Sequence, residues 1–230
     1  MPEMTFGVVI FCTVAALALS GAVMWILARK ARTSRRQIAL LSHTFLTGSM
    51  LNRAREKAVR QKLGGVFVKG DMRTLRLKKK YKLVFIPFNS LQNTYTLRDV
   101  EKVFQTVQAH LAPGGRFIFD IFNPSIQYMV KYERLRKGVY KFRLEDGRKV
   151  TIDQICRYDS MGQVNRATWI HHIDGGKPMA RKLDMRCFYP QEMEAILKYN
   201  GFKIIGKFGD FNKKPFSSEA LKQIFICKKG

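Results

Sequence analysis

The sequence is short of acid. Seventeen Asp and Glu stand against 42 Lys and Arg in 230 residues, a formal charge of +25. Every basic residue lies after Ala28 and only Glu3 among the acids lies before it, so the chain from Arg29 onward carries +26. Such a field attracts anionic lipid head groups, nucleic acid or acidic protein faces, and repels itself in their absence. Cysteine is scarce: Cys12, Cys156, Cys187 and Cys227 form no CxxC pair and have no His at ligand spacing. That excludes a disulfide framework and a zinc site, and predicts buried free thiols in a reducing compartment. Glycine is missing where a phosphate or nucleotide loop needs it. Before Gly48 only Gly7 and Gly21 occur, and no G-x-G-x-G run follows a strand upstream of Met50. No Ser-His-Asp set or paired-carboxylate spacing is present. His171 and His172 are adjacent in a predicted strand, so their rings point to opposite faces and do not form a joint metal site. Repeats and low-complexity segments are absent. What remains is 46% hydrophobic, enough for a core.

Charge is also missing from Thr5 to Ala28, TFGVVIFCTVAALALSGAVMWILA. This run is long enough to cross a ~30 Å hydrocarbon core as a helix, the one single-segment solution that satisfies its backbone there. Trp25 is placed as an interfacial anchor, and Arg29, Lys30, Arg32, Arg35 and Arg36 follow at once. Basic flanks stay on the cytoplasmic side, so the prediction is a single-pass membrane protein with its N-terminus outside and its C-terminal domain in the cytoplasm. A cleavable signal peptide carries its charge before a shorter apolar core, the reverse of this order. Ala15, Ala18, Gly21 and Ala22 supply small residues for close helix packing. The expected organisation is a short tail (1–4), a membrane helix (5–28), a basic linker (29–49) and a domain from 50 to 230 with a β-hairpin insert at 138–176.

Within that domain Met50 to Leu63 is a helix former closed by Gly64-Gly65. Val66 to Val68 is a short strand candidate. Lys82 to Phe88 (KLVFIPF) is a nearly continuous apolar run, the mark of a buried parallel strand. Leu97 to Leu111 has helical spacing and stops at Pro113-Gly114-Gly115. Arg116 to Phe122 is the next buried strand. From Val139 to Ile173, β-rich stretches are broken by turn signals at Asp146-Gly147, Ser160-Met161-Gly162 and Asp174-Gly175-Gly176. Pro190 to Tyr199 is a helix, and Phe202 to Phe211 and Gln223 to Lys228 are closing strands. This order is an α/β pattern with a mixed sheet.

Four runs in this order carry a resemblance: GDMR (Gly70 to Arg73), YKLVFIPFNSLQ (Tyr81 to Gln92), LAPGGRFIFDIFNP (Leu111 to Pro124) and RCFYPQEMEAILKYNGFKIIGKFGDF (Arg186 to Phe211). Together they resemble a class I S-adenosylmethionine-dependent methyltransferase over Met50 to Lys228. The resemblance implies a Rossmann-like sheet of seven strands, the last antiparallel, with cofactor at the carboxyl ends of the first half. It implies Asp71 as the acid that reads the adenine amine, with Met72 beside it. It implies Phe88, Asn89 and Ser90 as the segment lining the cofactor and substrate cleft. The site logic is that of dinucleotide folds: glycines allow close backbone approach and a carboxylate holds vicinal hydroxyls.

Two of the family's cofactor anchors are missing. The glycine-rich loop has no counterpart, and the ribose-binding acid position falls on Phe45 in HTFLTGSML (His43 to Leu51). An apolar ring accepts no hydroxyl hydrogen bonds, and each lost bond to a charged acceptor costs about 1.5–3 kcal/mol. The sequence therefore predicts a truncated or rebuilt sheet, no bound cofactor and a degenerate enzyme. Its role would be a non-catalytic accessory subunit of a membrane complex, photosynthetic or respiratory, docking on acidic cytoplasmic faces and anionic lipids. An active membrane-tethered methyltransferase using S-adenosylmethionine is the alternative. Binding of anionic lipid or nucleic acid through clusters such as Arg73 to Lys82 is a third reading, with nucleic acid the less suited to a tethered chain.

Overall fold

A computed structural model of the chain describes residues 8–9, 38–40, 52, 55–56, 59–60, 68 and 70–230, apart from 132, 134 and 145. Its strands are β1 (Val8–Val9), β2 (Ile38–Leu40), β3 (Tyr81–Ile86), β4 (Leu111–Phe122), β5 (Arg136–Arg143), β6 (Lys149–Asp159), β7 (Val164–Ile173), β8 (Met179–Arg186), β9 (Phe202–Phe208) and β10 (Lys222–Lys229). Its longer helices are α1 (Leu97–His110), α2 (Ile126–Lys131) and α3 (Pro190–Tyr199). They form two compact units. The first takes Met1–Leu91, Thr96–Phe122 and Pro190–Gly230; the second takes Gln92–Tyr95 and Asn123–Tyr189.

The first unit holds a six-stranded sheet in the order β1-β2-β3-β4-β10-β9. Strands β1 to β4 run parallel, and β10 is antiparallel to both its neighbours. The apolar runs at Lys82 and Arg116 thus become adjacent central strands, as their patterning predicts. Beside β3 stands β2, which pairs with it at Ile38↔Leu83 and Leu40↔Phe85, so a segment following the basic run completes the parallel half of the sheet.

Two expectations are corrected here. Val8 and Val9, inside the run predicted as a membrane helix, form a strand parallel to β2 at Val8↔Ile38 and Val9↔Ala39. An uncharged apolar run with β-branched residues suits a buried strand as well as a helix, and periodicity does not separate them. The rest of 5–28 lies outside the described residues, as do Ala15, Ala18, Gly21, Ala22, Trp25, Arg29 and Lys30. Among the described residues no helix is long and apolar enough to cross a membrane. Val68, read as the end of a strand, is in no regular element. The predicted helix at Met50 fares better: Asn52, Arg55, Glu56, Val59 and Arg60 are all helical.

Helix α1 begins where the chemistry directs. Thr96 is its N-cap and its side chain accepts the Asp99 N–H at 3.1 Å, while Asp99 sits in the positive first turn. Val100, Val103, Phe104, Val107 and His110 form its buried stripe. Strand β4 starts at Leu111, earlier than its apolar run. Leu111 pairs with Tyr81, and the register then slips across Pro113-Gly114-Gly115 before Arg116 meets Leu83. Gly114 takes φ +66 there, a conformation glycine adopts without strain.

The core under α1 is aromatic. The Phe104 ring meets Phe117 edge-on at 5.9 Å and Phe202 at 5.4 Å, and Phe119 stacks on Phe117 and Phe225 at 5.0 and 5.1 Å. Cys227 is buried in the same unit, and burial pushes its thiol up to about 12. We expect Cys227 to resist iodoacetamide at pH 8 in the folded chain and to react once the chain unfolds, read by peptide mass spectrometry. Alkylation at the rate of a free thiol under native conditions would show that the site opens readily.

The second unit is an antiparallel sheet in the order β5-β6-β7-β8. Its turns fall at the predicted signals. Gly147 and Gly175 adopt φ +86 and +74, and Asp159 accepts the Gly162 N–H at 3.1 Å. Strand β6 alternates as a one-sided strand should, burying Val150, Ile152, Gln154 and Cys156. The fourth strand, β8, was not anticipated: MARKLDMR is a charged edge strand with weak alternation. Buried Arg186 ties this unit together, donating to the Tyr95 carbonyl and to Gln163 Oε1, both at 3.1 Å. His172 Nε2 lies 2.9 Å from Asp153 Oδ2, and His171 occupies the alternate face, where burial lowers its pKa. Among the described residues no group of His, Cys, Asp and Glu has metal-binding geometry.

Candidate cofactor site

In an open parallel sheet, ligands bind outside the carboxyl ends of the strands. Strand β3 ends at Ile86, and the chain there enters an unusual turn. Phe88 and Asn89 both take φ +57. For Asn this is tolerated, but for a bulky aromatic it is an outlier costing about 1–2 kcal/mol. Such strain persists only where neighbours over-determine it. The neighbours are identifiable. The Pro87 carbonyl accepts both the Ser90 N–H at 3.2 Å and the Ser90 hydroxyl at 2.6 Å. The Phe88 N–H donates to Asp120 Oδ1 at 2.8 Å. Asp120, on β4, is 1% exposed, and its other oxygen accepts Lys222 Nζ of β10 at 2.8 Å. The turn is therefore pinned from two adjacent strands. The side-chain oxygen of Asn89 is buried and has no hydrogen-bond partner among the described residues. A buried unpaired amide acceptor is costly unless a water or a ligand donor meets it.

Asp71 reaches the same end of the sheet through an ion-pair chain. Arg73 donates to both Asp71 oxygens at 2.7–3.1 Å and to Asp99 Oδ1 at 3.2 Å. Hydrogen bonding to Asp71 raises the Arg73 pKa, so the guanidinium is a fixed cation between two acids. Asp71 also accepts the Arg73 backbone N–H at 2.8 Å, and its own carbonyl accepts Thr74 and Leu75, which makes GDMR a tight turn. Met72 beside it is buried.

The structure thus brings Asp71, Met72, Phe88, Asn89 and Ser90 into one unit. Asp120, Lys222, Arg73 and Asp99 were missed as contributors. One signal was available: Asp120 is the lone acid inside RFIFDIF, a run patterned for burial on both faces, and such a charge needs a partner. Phe45 and the segment that replaces the glycine loop lie outside the described residues.

Comparison with known proteins agrees with this geometry. Residues 44–115 match the family described as Methyltransferase domain. A solved S-adenosylmethionine-dependent methyltransferase from Clostridium acetobutylicum aligns with TM-score 0.73 at 19% identity, covering 92% of this chain and 80% of that one. The CcbJ methyltransferase from Streptomyces caelestis aligns with TM-score 0.71 at 23% identity, with the same coverage. CalS10, an amino pentose methyltransferase from Micromonospora echinaspora solved with S-adenosylmethionine, aligns with TM-score 0.64 at 18% identity over 96% of this chain and 98% of that one. No curated protein matches the chain. The chain has the class I S-adenosylmethionine-dependent methyltransferase fold.

Proposed function

We infer that the chain is an S-adenosylmethionine-dependent methyltransferase, the reading the sequence placed second. The observation that carries it is the strained Phe88-Asn89 turn at the end of β3, with a buried Asn89 oxygen that has no partner among the described residues, in the unit that also holds the Asp71 turn. A vestigial site has no physical reason to keep such strain and an orphaned acceptor. On the adenine side the residues fit the cofactor. The Asp71 carboxylate, whose oxygens Arg73 now occupies, accepts an exocyclic amine by exchanging one of those bonds, buried Met72 offers an apolar contact, and Asn89 is an acceptor for a further N–H donor. When bound, the cofactor supplies a methyl group activated on a sulfonium; the residues named here hold and orient it. This reading replaces the expectation that no cofactor binds.

Calorimetry of the full chain with S-adenosylmethionine tests it. We expect saturable binding at micromolar concentration, weakened about 10- to 100-fold by Asp71→Ala through loss of a charged acceptor. No heat at millimolar cofactor would sink the proposal. It would leave the reading that the missing glycine loop and Phe45 favour: a non-catalytic accessory subunit that co-purifies with its complex in mild detergent.

A further inference from the structure

The first unit mixes both signs of charge at one end of its sheet and carries one sign at the other. Asp71, Asp99 and Asp120 stand at the carboxyl end, paired with Arg73 and Lys222 in the site described above. At the opposite end β3 and β4 begin, β10 finishes and β9 begins, as the registers Leu83↔Arg116, Cys227↔Phe117 and Lys228↔Lys203 require. Four segments reach that end: 76–82, 105–116, 198–203 and 228–230. They hold ten Lys and Arg and no Asp or Glu. Lys78, Lys79, Lys80, Lys82, Lys228 and Lys229 are exposed. Among the described residues none of the ten forms an ion pair. Two spend their donors on neutral oxygens: Arg76 on the Leu75 carbonyl and the Thr106 hydroxyl, and Lys82 on the Pro113 carbonyl at 2.7 Å. Strand β2 enters from this end too, and the sequence just ahead of it, Arg29 to Arg36, is basic as well.

We propose that this basic rim docks on an anionic lipid surface. Four adjacent strands at ~4.8 Å spacing make a rim roughly 15 Å wide, over which like charges repel unless an anionic partner neutralises them. Surfaces that only need solubility mix both signs. The partner is lipid because these segments offer one exposed aromatic, Tyr199 at 83%. A lone Tyr suits the head-group level of a bilayer, whereas single-stranded nucleic acid needs a row of stacking rings. Docked this way, the cofactor site faces the aqueous phase.

Flotation of the full chain with vesicles of 30% phosphatidylserine in phosphatidylcholine tests the rim. We expect binding that falls with salt, and a loss of about 100-fold in K78Q/K79Q/K80Q, from ~1 kcal/mol per lysine near an anionic surface. K141Q/R143Q/K149Q, the same charge change in the second unit, should bind as the parent does; thermal melts check that both variants fold. The idea fails if the two variants lose equally or neither loses, or if duplex RNA outcompetes the vesicles at equal salt. If the chain floats with neutral vesicles as well, hydrogen exchange decides. Protection of 76–82 and 228–230 confined to anionic vesicles supports the rim, and protection that is absent or equal on both overturns it.

Discussion

Replacing Phe104 with Ala will lower the folding free energy of the first unit by about 3–5 kcal/mol, the range for removing a large ring from a closed core. Phe104 is fully buried. Its ring is where α1 meets the sheet, touching Phe117 at 5.9 Å, Phe119 at 6.4 Å and Phe202 at 5.4 Å. Ala removes the transfer free energy of the ring and leaves a cavity whose walls are themselves aromatic and stacked, so they collapse poorly into it. The edge-to-face contacts add to the loss, at about 0.5–1.5 kcal/mol for such pairs. Urea unfolding followed by far-UV circular dichroism measures this. Because the chain has two compact units, the transition of the first unit should move and the m-value of each should be fitted separately. A loss below about 1.5 kcal/mol would mean that the ring is not packed as described.

Asp120→Ala has the second large effect, and it links stability to the site. The substitution leaves the Lys222 ammonium without its acid and the Phe88 N–H without its acceptor. Removing one partner of a buried pair costs about 3–5 kcal/mol. Lys222 is 29% exposed, and water recovers part of this, so we expect about 2–3 kcal/mol. Asp120→Asn keeps an acceptor for Phe88 and should cost less. The double variant Asp120→Leu with Lys222→Met removes both charges and should regain the ion-pair share of the loss, leaving the orphaned N–H, about 1–3 kcal/mol. Cofactor affinity should follow the N–H, not the charge: weakened in Asp120→Ala and in the double variant, near the parent in Asp120→Asn. Equal affinity in all three would remove Asp120 from any role in holding the Phe88-Asn89 turn.

Some elements are specified by their own local chemistry. The apolar runs at Lys82 and Arg116 have no polar face, which leaves a central strand as their one home. Thr96 with Asp99 three residues on marks a helix start from local chemistry alone. The Gly-containing turns of the second unit are equally local. Asp71, Phe88 and Asn89 were legible because they sit inside motifs. Their partners were not. Asp120 meets Phe88 across 32 residues and Lys222 across 102. Strand β8 has the charge of a surface loop, and only its register with β7, Val164↔Arg186 through His171↔Met179, makes it a strand.

The sequence by itself determined the charge imbalance, the element order from Tyr81 onward apart from α2 and β8, the turns, and the absence of a glycine-rich loop. These are local properties, set by side-chain chemistry and periodicity within a few residues. Tertiary structure alone decided that Ile38–Leu40 stands beside β3 and that Val8–Val9 pairs with it. It also pinned the Phe88-Asn89 turn through Asp120, and it gathered basic segments from four places in the chain at one end of a sheet. Each of these depends on hydrogen-bond registers or burial between segments far apart in sequence, and an apolar or charged run carries no record of which distant partner will cover it.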